Sequence, residues 1–232
     1  MYLTSNSQPD IQFAVHKCAR FTHNPRASHE QAVLRICHYL KGTQDKGLVF
    51  RPKASLALDC YVDADFAGLW KVENESDPVC VKSRTGYVLL LGGCPLTWAS
   101  RLQTEIALST VEAEYIALST AMRDLLPGRA LLKEIGAKLQ LSFCKESVIM
   151  SKVWEDNTGT IRLAEAAHKV TFCMKHIVVK YHFFCSHLSD EVRVLKVDTT
   201  EQLADVFTKG LAQYQFEKLV DRLMGWEAAD GQ

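Results

Sequence analysis

The sequence lacks an excess of charge, a long apolar run and a paired-cysteine motif, and each absence removes a class of protein. Its 27 Lys and Arg residues equal its 27 Asp and Glu residues in number, so overall basicity does not indicate a nucleic-acid partner. No run approaches the ~20 apolar residues that span a bilayer, and no signal peptide is evident. We therefore expect a protein without a membrane segment, in an intracellular, cytoplasmic location.

The eight cysteines lack the Cys-x-x-Cys spacing of a metal clip or redox motif. They are therefore expected to be free thiols in a reducing compartment rather than a disulfide framework. With 47% hydrophobic and 23% charged residues, the 232-residue chain has the composition of a globular protein with one or two domains.

Charge is unevenly distributed although it sums to zero. Residues 1–53 hold eight basic and three acidic residues, whereas residues 55–80 hold one basic and six acidic residues. This pattern predicts a small basic N-terminal unit ahead of a mixed domain with an acidic focus. The predicted units are a helical segment at 1–53, an α/β domain at 54–212, and a C-terminal helix and tail at 213–232.

The order of predicted elements favours an α/β domain with a five-stranded mixed sheet flanked by helices. Residues 56–66 alternate between apolar and polar side chains, which is typical of a strand with one polar face. Pro127 predicts that the long helix kinks or ends near Leu126. The predicted strands are 56–66, 86–91, 96–100, 148–154 and 192–197, with a Gly92–Pro95 hairpin turn. The predicted helices are 10–22 (capped by Asp10), 27–41, 109–126, 157–167, 174–188, 200–209 (with a Thr199-x-x-Gln202 capping box) and 213–224.

Four carboxylates lie at element ends or on a core-facing side: Asp63, Glu114, Asp156 and Asp205. Helix geometry distinguishes Glu114 from its neighbour Glu112. At 3.6 residues per turn, Glu114 lies about 60° from the centre of the apolar stripe, and Glu112 about 100° away on the other side. Glu114 is therefore better placed to reach a site on the sheet.

Carboxylate oxygens are the ligands that hard divalent cations prefer, and a two-metal phosphodiesterase site needs several of them. Converging like charges destabilise a fold unless cations lie between them. The alternative is that these residues are four solvated surface acids among 27. Composition alone favours the surface interpretation, because isolated Asp and Glu residues are mostly exposed.

Several strings resemble the ribonuclease H region of copia-type LTR retrotransposon Pol polyproteins. Residues 8–50 resemble the end of the reverse transcriptase, its thumb or connection, that precedes this region. The departures from the family pattern, Cys173-Met-Lys-His-Ile-Val178 and Thr208-Lys-Gly-Leu211, remove no proposed metal ligand. The matching strings are Tyr61-Val-Asp-Ala-Asp-Phe-Ala-Gly68, Lys82-Ser-Arg-Thr-Gly-Tyr87, Ser109-Thr-Val-Glu-Ala-Glu-Tyr115, Glu155-Asp-Asn157 and Glu201-Gln-Leu-Ala-Asp-Val-Phe-Thr-Lys209.

The resemblance implies an RNase H-like fold and metal-dependent cleavage of the RNA strand of an RNA–DNA hybrid. Two Mg²⁺ (or Mn²⁺) ions would be held by the four acids. Asp63 would bridge both ions, Glu114 and Asp156 would complete one shell, and Asp205 the other. The implied partners are the hybrid and the reverse transcriptase portion of the parent polyprotein, within retroelement particles.

Further residues are candidates for contacts with the nucleic acid, since basic and polar side chains position phosphates. These are Lys82, Arg84, Ser109, Thr110, Asn157, Lys175 and His176. Tyr87 and Trp98 either stack on the hybrid or belong to the core. A zinc site is disfavoured, since on one straight helix four ligands would point in different directions. Its candidates are Cys173, His176, His182 and Cys185.

Two other functions stay open at this stage. One is a catalytically silent retroelement fragment that at most binds nucleic acid. The other is a different nuclease of the same superfamily, such as an integrase. The order Asp–Glu–Asp–Asp along the chain favours ribonuclease H, since a transposase-type core would place its Glu last. Convergence of the four carboxylates would favour the enzyme over the silent fragment.

Overall fold

The computed structural model describes residues 2–53, 57–70, 77–140, 149–166, 182–189 and 191–226. Lys175 and His176, which we predicted to contact nucleic acid, lie outside the described residues, as does the zinc candidate Cys173. Across the described ranges, no helix combines the length and the hydropathy needed to cross a membrane.

Five strands form one mixed sheet with the spatial order β3-β2-β1-β4-β5. The first three strands pair antiparallel, whereas β4 and β5 run parallel to β1. The predicted five-stranded mixed sheet with flanking helices is therefore confirmed. The strands are β1 (Leu58–Asp65), β2 (Arg84–Leu91), β3 (Cys94–Leu102), β4 (Ser151–Glu155) and β5 (Val192–Lys196).

Helices precede the sheet, cover it and follow it in the chain. The α-helices are α1 (Tyr2–Asn6), α2 (Gln12–Ala19), α3 (Ala27–Gly42), α4 (Thr110–Leu139), α5 (Thr158–Glu165), α6 (Asp205–Thr208) and α7 (Gln213–Met224). Short 3-10 helices occupy Pro9–Ile11, His182–His187 and Thr199–Glu201. The helices predicted at 10–22, 27–41, 157–167 and 213–224 are thus confirmed to within a few residues. The helix predicted at 174–188 is described only from residue 182, where it is a 3-10 helix.

The predicted hairpin joins β2 to β3 through Gly92 and Gly93. Their φ angles are 59° and 85°, in the left-handed region that glycine adopts without a steric penalty. The turn therefore depends on two adjacent glycines, as its sequence predicted.

The sheet has an apolar core on each face. On one face, Leu58, Cys60 and Val62 of β1 pack with α4 and α5. On the other face, Tyr61 and Val88 pack with side chains from α6 and α7. The predicted alternation along β1 is therefore present, and its polar face is covered by the C-terminal helices.

The long helix α4 continues past Pro127 to Leu139. Of the two outcomes predicted at the proline, a kink or an end near Leu126, the end is therefore wrong. Contacts beyond the proline anchor this part of the helix. The Arg129 guanidinium donates hydrogen bonds to the Ser151 hydroxyl at 2.9 Å and to the Glu191 carboxylate at 2.8 Å. These tertiary bonds offset the local cost of a proline inside a helix.

Two predicted helix caps are also wrong. Asp10 does not cap the first helix; it lies in a 3-10 turn and accepts a 2.6 Å hydrogen bond from the Tyr39 hydroxyl. Between residues 199 and 209 a 3-10 turn and the one-turn helix α6 replace the predicted continuous helix. There Asp198 caps the turn, and the Gln202 side chain instead reaches the sheet.

Candidate metal centre

The carboxyl ends of β1 and β4 meet at one edge of the sheet, where the candidate site lies. Asp63 is the sixth residue of β1, and Asp156 directly follows β4. Because these neighbouring strands run parallel, the residues at their ends face the same crevice. The strand pattern therefore brings together two acids that are 93 positions apart in the sequence.

Glu114 reaches this edge from the first turns of α4, which packs against β1 and β2. Its side chain is buried, with 3% of its surface exposed. Glu112 has a different role, because its carboxylate accepts a 2.8 Å hydrogen bond from the Leu108 amide at the helix start. The geometric preference for Glu114 over Glu112 thus agrees with the folded arrangement.

Asp63, Glu114 and Asp156 each offer a carboxylate oxygen, and these three atoms lie within 4.8 Å of one another. One oxygen of Glu114, Oε2, is buried and has no hydrogen-bond partner in the part of the chain that the structure describes. A buried carboxylate oxygen left unpaired costs free energy unless a proton or a cation satisfies it. The donor set, all hard oxygens, matches Mg²⁺ or Mn²⁺.

Burial and like charges raise the pKa of two carboxyl groups of this cluster, those of Asp63 and Glu114. Desolvation raises the pKa of Asp63, although Lys209 and the Thr208 hydroxyl counteract it. Desolvation, reinforced by the charges of Glu155 and Asp63, raises the pKa of Glu114 well above its usual value. The cluster of three acids therefore favours protonation or a bound cation over three free negative charges.

Asp156 is oriented by groups from the end of β5 and the turn after it. The Thr199 hydroxyl donates a 3.0 Å hydrogen bond to Asp156 Oδ2, and the Lys196 ammonium donates one of 2.6 Å to its backbone carbonyl. The next residue, Asn157, caps α5 through bonds from the amides of Gly159 and Thr160. The backbone on both sides of Asp156 is thus held in place.

Asp205 lies at the start of α6 but outside the group of three converging acids. Its carboxylate pairs instead with the Lys209 ammonium at 2.8 Å, and the same ammonium lies 3.2 Å from Asp63 Oδ1. Desolvation and the charge of Asp63 raise the pKa of Asp205 to about 7, against the attraction of Lys209. Lys209 thus links Asp205, the fourth predicted acid, to Asp63 of the converging group.

Sequence reasoning missed a fifth acid, Glu155, which is fully buried at the end of β4. Its Oε1 accepts a 3.0 Å hydrogen bond from the Asn157 amide, whereas Oε2 has no partner within the described ranges. Desolvation raises the pKa of Glu155 well above its usual value. The available signal was its position before Asp156 in a strand whose alternate residues are buried.

The predicted nucleic-acid contacts occupy different environments. Ser109 and Thr110 are exposed at the start of α4, Lys82 is half-buried, and Asn157 caps α5. Arg84 is buried under α2, where its guanidinium donates to the Ser100 hydroxyl at 3.1 Å. This placement does not support a phosphate contact by Arg84. The contacts predicted for the other residues stay predictions.

The two aromatic candidates belong to the folded core. Tyr87 is 1% exposed and donates a short hydrogen bond to Asp124. The Trp98 indole N–H donates a 2.6 Å hydrogen bond to the Thr4 carbonyl of the N-terminal helix. Of the two interpretations left open for these side chains, packing therefore accounts for both.

A five-stranded mixed sheet with three acids converging at strand ends defines an α/β protein with a candidate divalent-metal site. Comparison with known proteins identifies relatives of this chain. The retrovirus-related Pol polyprotein from transposon RE1 of Arabidopsis thaliana is 34% identical over 219 residues, which are 94% of this chain. That from transposon TNT 1-94 of Nicotiana tabacum is 36% identical over 228 residues, or 97% of this chain. Nearly the whole chain is thus homologous to a segment of these transposon Pol polyproteins.

The chain spans only 14% and 16% of the lengths of these two relatives, so it corresponds to one segment of them. No protein-family model matches it. Among solved structures, LC11-RNase H1 in complex with an RNA/DNA hybrid has a TM-score of 0.43 and 18% identity. That match covers 65% of this chain and 93% of the other.

Proposed function

We propose that this chain is the ribonuclease H segment of a retrotransposon Pol polyprotein. Its activity is the metal-dependent hydrolysis of the RNA strand of RNA–DNA hybrids, as an endonuclease, during reverse transcription. One observation carries the proposal, namely the convergence of Asp63, Glu114 and Asp156 within 4.8 Å at the strand ends. A family relationship over nearly the whole chain supports it.

The residues at this edge fit a pair of Mg²⁺ or Mn²⁺ ions. Asp63, Glu114 and Asp156 would hold one ion, and Asp63 with Asp205 would hold the other. When bound, such ions lower the pKa of water and stabilise the charge that develops on a phosphate under attack. Glu114 Oε2, which has no hydrogen-bond partner among the described residues, would be satisfied by coordinating one of the ions.

The protein's own side chains hold the acidic carboxylates in position and limit their contact with water. Thr199 holds the Asp156 carboxylate, and Thr208 holds that of Asp63 through a short hydrogen bond. The cluster is buried on its sheet side, since Asp63 is 1% and Glu114 3% exposed. Fixed, partly dehydrated carboxylates reduce the reorganisation that accompanies phosphodiester cleavage.

The substrate would approach from the side where Asp156 remains half-exposed. Asn157, which directly follows Asp156, caps the N-terminus of α5. Ser109 and Thr110 lie at the exposed N-terminus of α4. Lys82, which is half-buried, supplies a positive charge on the loop before β2. We propose these residues as contacts to the sugar–phosphate backbone, which fix the position of the hybrid without reading its sequence.

We also propose the domain division at residues 53 and 212, with 1–53 as the end of the reverse transcriptase portion. The segments on both sides of the central domain pack closely against it. The Thr4 carbonyl of α1 accepts the Trp98 indole bond, and Leu219 and Leu223 of α7 join the second core. The proposed boundaries therefore separate segments by their evolutionary origin and do not separate independent globular units.

The decisive experiment is cleavage of an RNA–DNA hybrid, labelled on its RNA strand, in Mg²⁺. We expect Asp63→Asn and Glu114→Gln each to reduce the rate by at least about 100-fold, because each removes a charged ligand. Glu134→Gln is the matched control, since this glutamate lies on the same helix with 61% of its side chain exposed. Its rate should equal that of the wild type.

Three outcomes discriminate among the functions. Undiminished cleavage by Asp63→Asn would refute the assigned site. A folded wild type that binds Mn²⁺ but cleaves no hybrid would favour the catalytically silent segment. Cleavage of duplex DNA in preference to the hybrid would favour another nuclease of the superfamily.

A further inference from the structure

Lys209 places a positive charge inside the acidic cluster, directly after α6. Its ammonium lies 2.8 Å from Asp205 Oδ1 and 3.2 Å from Asp63 Oδ1. These carboxylate side chains are 6% and 1% exposed, whereas the lysine side chain is 33% exposed. One cation thus joins two buried anions from the solvent side.

The ammonium neutralises a repulsion that would otherwise weaken the metal-free fold. Burial disfavours the charged lysine, but attraction to Asp63 and Asp205 outweighs it and raises the Lys209 pKa. The charged form therefore persists at neutral pH. Among the described acids, Asp205 lies outside the group that converges within 4.8 Å.

We infer that Lys209 is a resident cation of this site, which occupies Asp205 in the metal-free protein and must leave before a metal ion binds there. The inference rests on the proposed metal site. Metal–oxygen bonds to Mg²⁺ are about 2.0–2.1 Å long, so an ammonium and a metal ion compete for the same carboxylate oxygens. Binding is then sequential, first at Asp63, Glu114 and Asp156, and then at Asp205.

The surroundings of Lys209 permit its departure. Gly210, the next residue, is exposed, and no atom lies within 4 Å of the position a β-carbon would take there. Lys209 itself has an extended backbone outside α6. The long side chain can therefore swing into solvent without disturbing the helix that carries Asp205.

The test compares Lys209→Gln and Lys209→Arg with wild type by Mn²⁺ titration calorimetry and thermal unfolding with and without EDTA. Lys209→Gln should unfold at a lower temperature in EDTA and gain more from Mn²⁺. It should also bind the weaker Mn²⁺ equivalent about tenfold more tightly, because a charged hydrogen bond no longer opposes it. Lys209→Arg, which keeps the charge, should resemble wild type.

Lys218→Gln is the matched control, since this lysine pairs with Glu201 at a distance from the cluster. Unchanged Mn²⁺ affinity in Lys209→Gln relative to wild type would overturn the inference, and so would the absence of any Mn²⁺ binding. Because these readouts do not involve cleavage, a shifted affinity without hybrid cleavage would support the resident cation and overturn the nuclease proposal alone. Intact cleavage with an unshifted affinity would do the reverse.

Discussion

Gly86 lies directly opposite Asp63 in the antiparallel ladder of β1 and β2. A β-carbon at Gly86 would come within 2.6 Å of Thr208 Cγ2 and 2.8 Å of Phe207 Cβ, both on α6. The absent side chain therefore lets α6 approach the sheet closely enough for Thr208 to donate its hydrogen bond to Asp63. A residue without a side chain thus sets how closely Thr208 of α6 approaches the carboxylate of Asp63.

Replacing Gly86 with alanine should push α6 away from the sheet. We expect a loss of about 1–3 kcal/mol in the free energy of unfolding, as for other overpacked interiors, and weaker Mn²⁺ binding. Chemical denaturation and calorimetry measure the two effects. Gly42→Ala is the control, because nothing lies within 4 Å of its β-carbon position. Equal stability of the two variants would contradict the close-approach argument.

The stability of the metal-free protein should depend on pH through Asp205. Its pKa is about 7 when folded against 3.8 in the unfolded chain, so the native state holds the extra proton between these values. Stability from this group is therefore present below pH 4 and declines as pH rises to 7, at up to about 1.4 kcal/mol per pH unit. Urea unfolding in EDTA at pH 5, 6 and 7 measures the slope.

Asp205→Asn removes this titration and provides the comparison. The variant should lose less stability than wild type between pH 5 and 7, because its amide binds no proton in either state. Parallel slopes for the two proteins would show that Asp205 titrates near its ordinary pKa. Titrating groups that do not interact with Asp205 cancel in the difference, whereas Asp63 and Lys209, which interact with it, contribute to the change in slope.

Gln202 should stabilise the strand ends that carry the acids. In the β1–β4 ladder, Cys60 pairs with Val153 and Tyr61 pairs with Trp154. The buried Gln202 amide then donates to the Val62 carbonyl at 2.9 Å and to that of Trp154 at 3.4 Å. Gln202→Leu leaves these carbonyls unsatisfied, so we expect a loss of about 2–4 kcal/mol.

Exposed Gln213 supplies the control, since its amide bonds only the nearby Glu217 side chain among the described contacts. Gln213→Leu should change the free energy of unfolding by less than about 0.5 kcal/mol. If Gln202→Leu were equally mild in denaturant titrations, the amide would not hold the strands at this edge.

Arg84 should act as an anchor for the N-terminal helices. Besides Ser100, its guanidinium contacts the His16 ring at 3.1 Å and lies over the Phe13 ring, both on α2. Arg84→Met should therefore cost about 1–3 kcal/mol and expose residues 1–53 to limited proteolysis. Lys82→Met should instead weaken hybrid binding at unchanged stability. A protease-resistant Arg84→Met with reduced hybrid affinity would restore the phosphate-contact interpretation.

Much of the fold follows from local pattern. Alternation along residues 56–66 located β1, paired glycines located the β2–β3 turn, and helical spacing selected Glu114 over Glu112. These signals succeed because a strand or a helix imposes its period on whichever side chains it buries. Even so, the same reasoning predicts that α4 kinks or ends near Leu126, whereas the helix continues to Leu139 and is anchored by hydrogen bonds from Arg129 to residues distant in the sequence.

The sequence alone identifies four candidate metal ligands through residue type, element position and motif resemblance: Asp63, Glu114, Asp156 and Asp205. It does not determine their charge states or their partners. Lys209 between Asp63 and Asp205, the buried Glu155 and the anchoring of Arg84 arise where segments far apart in the chain pack together. Desolvation and Coulomb interactions depend on distances across the fold, and a linear sequence does not contain those distances.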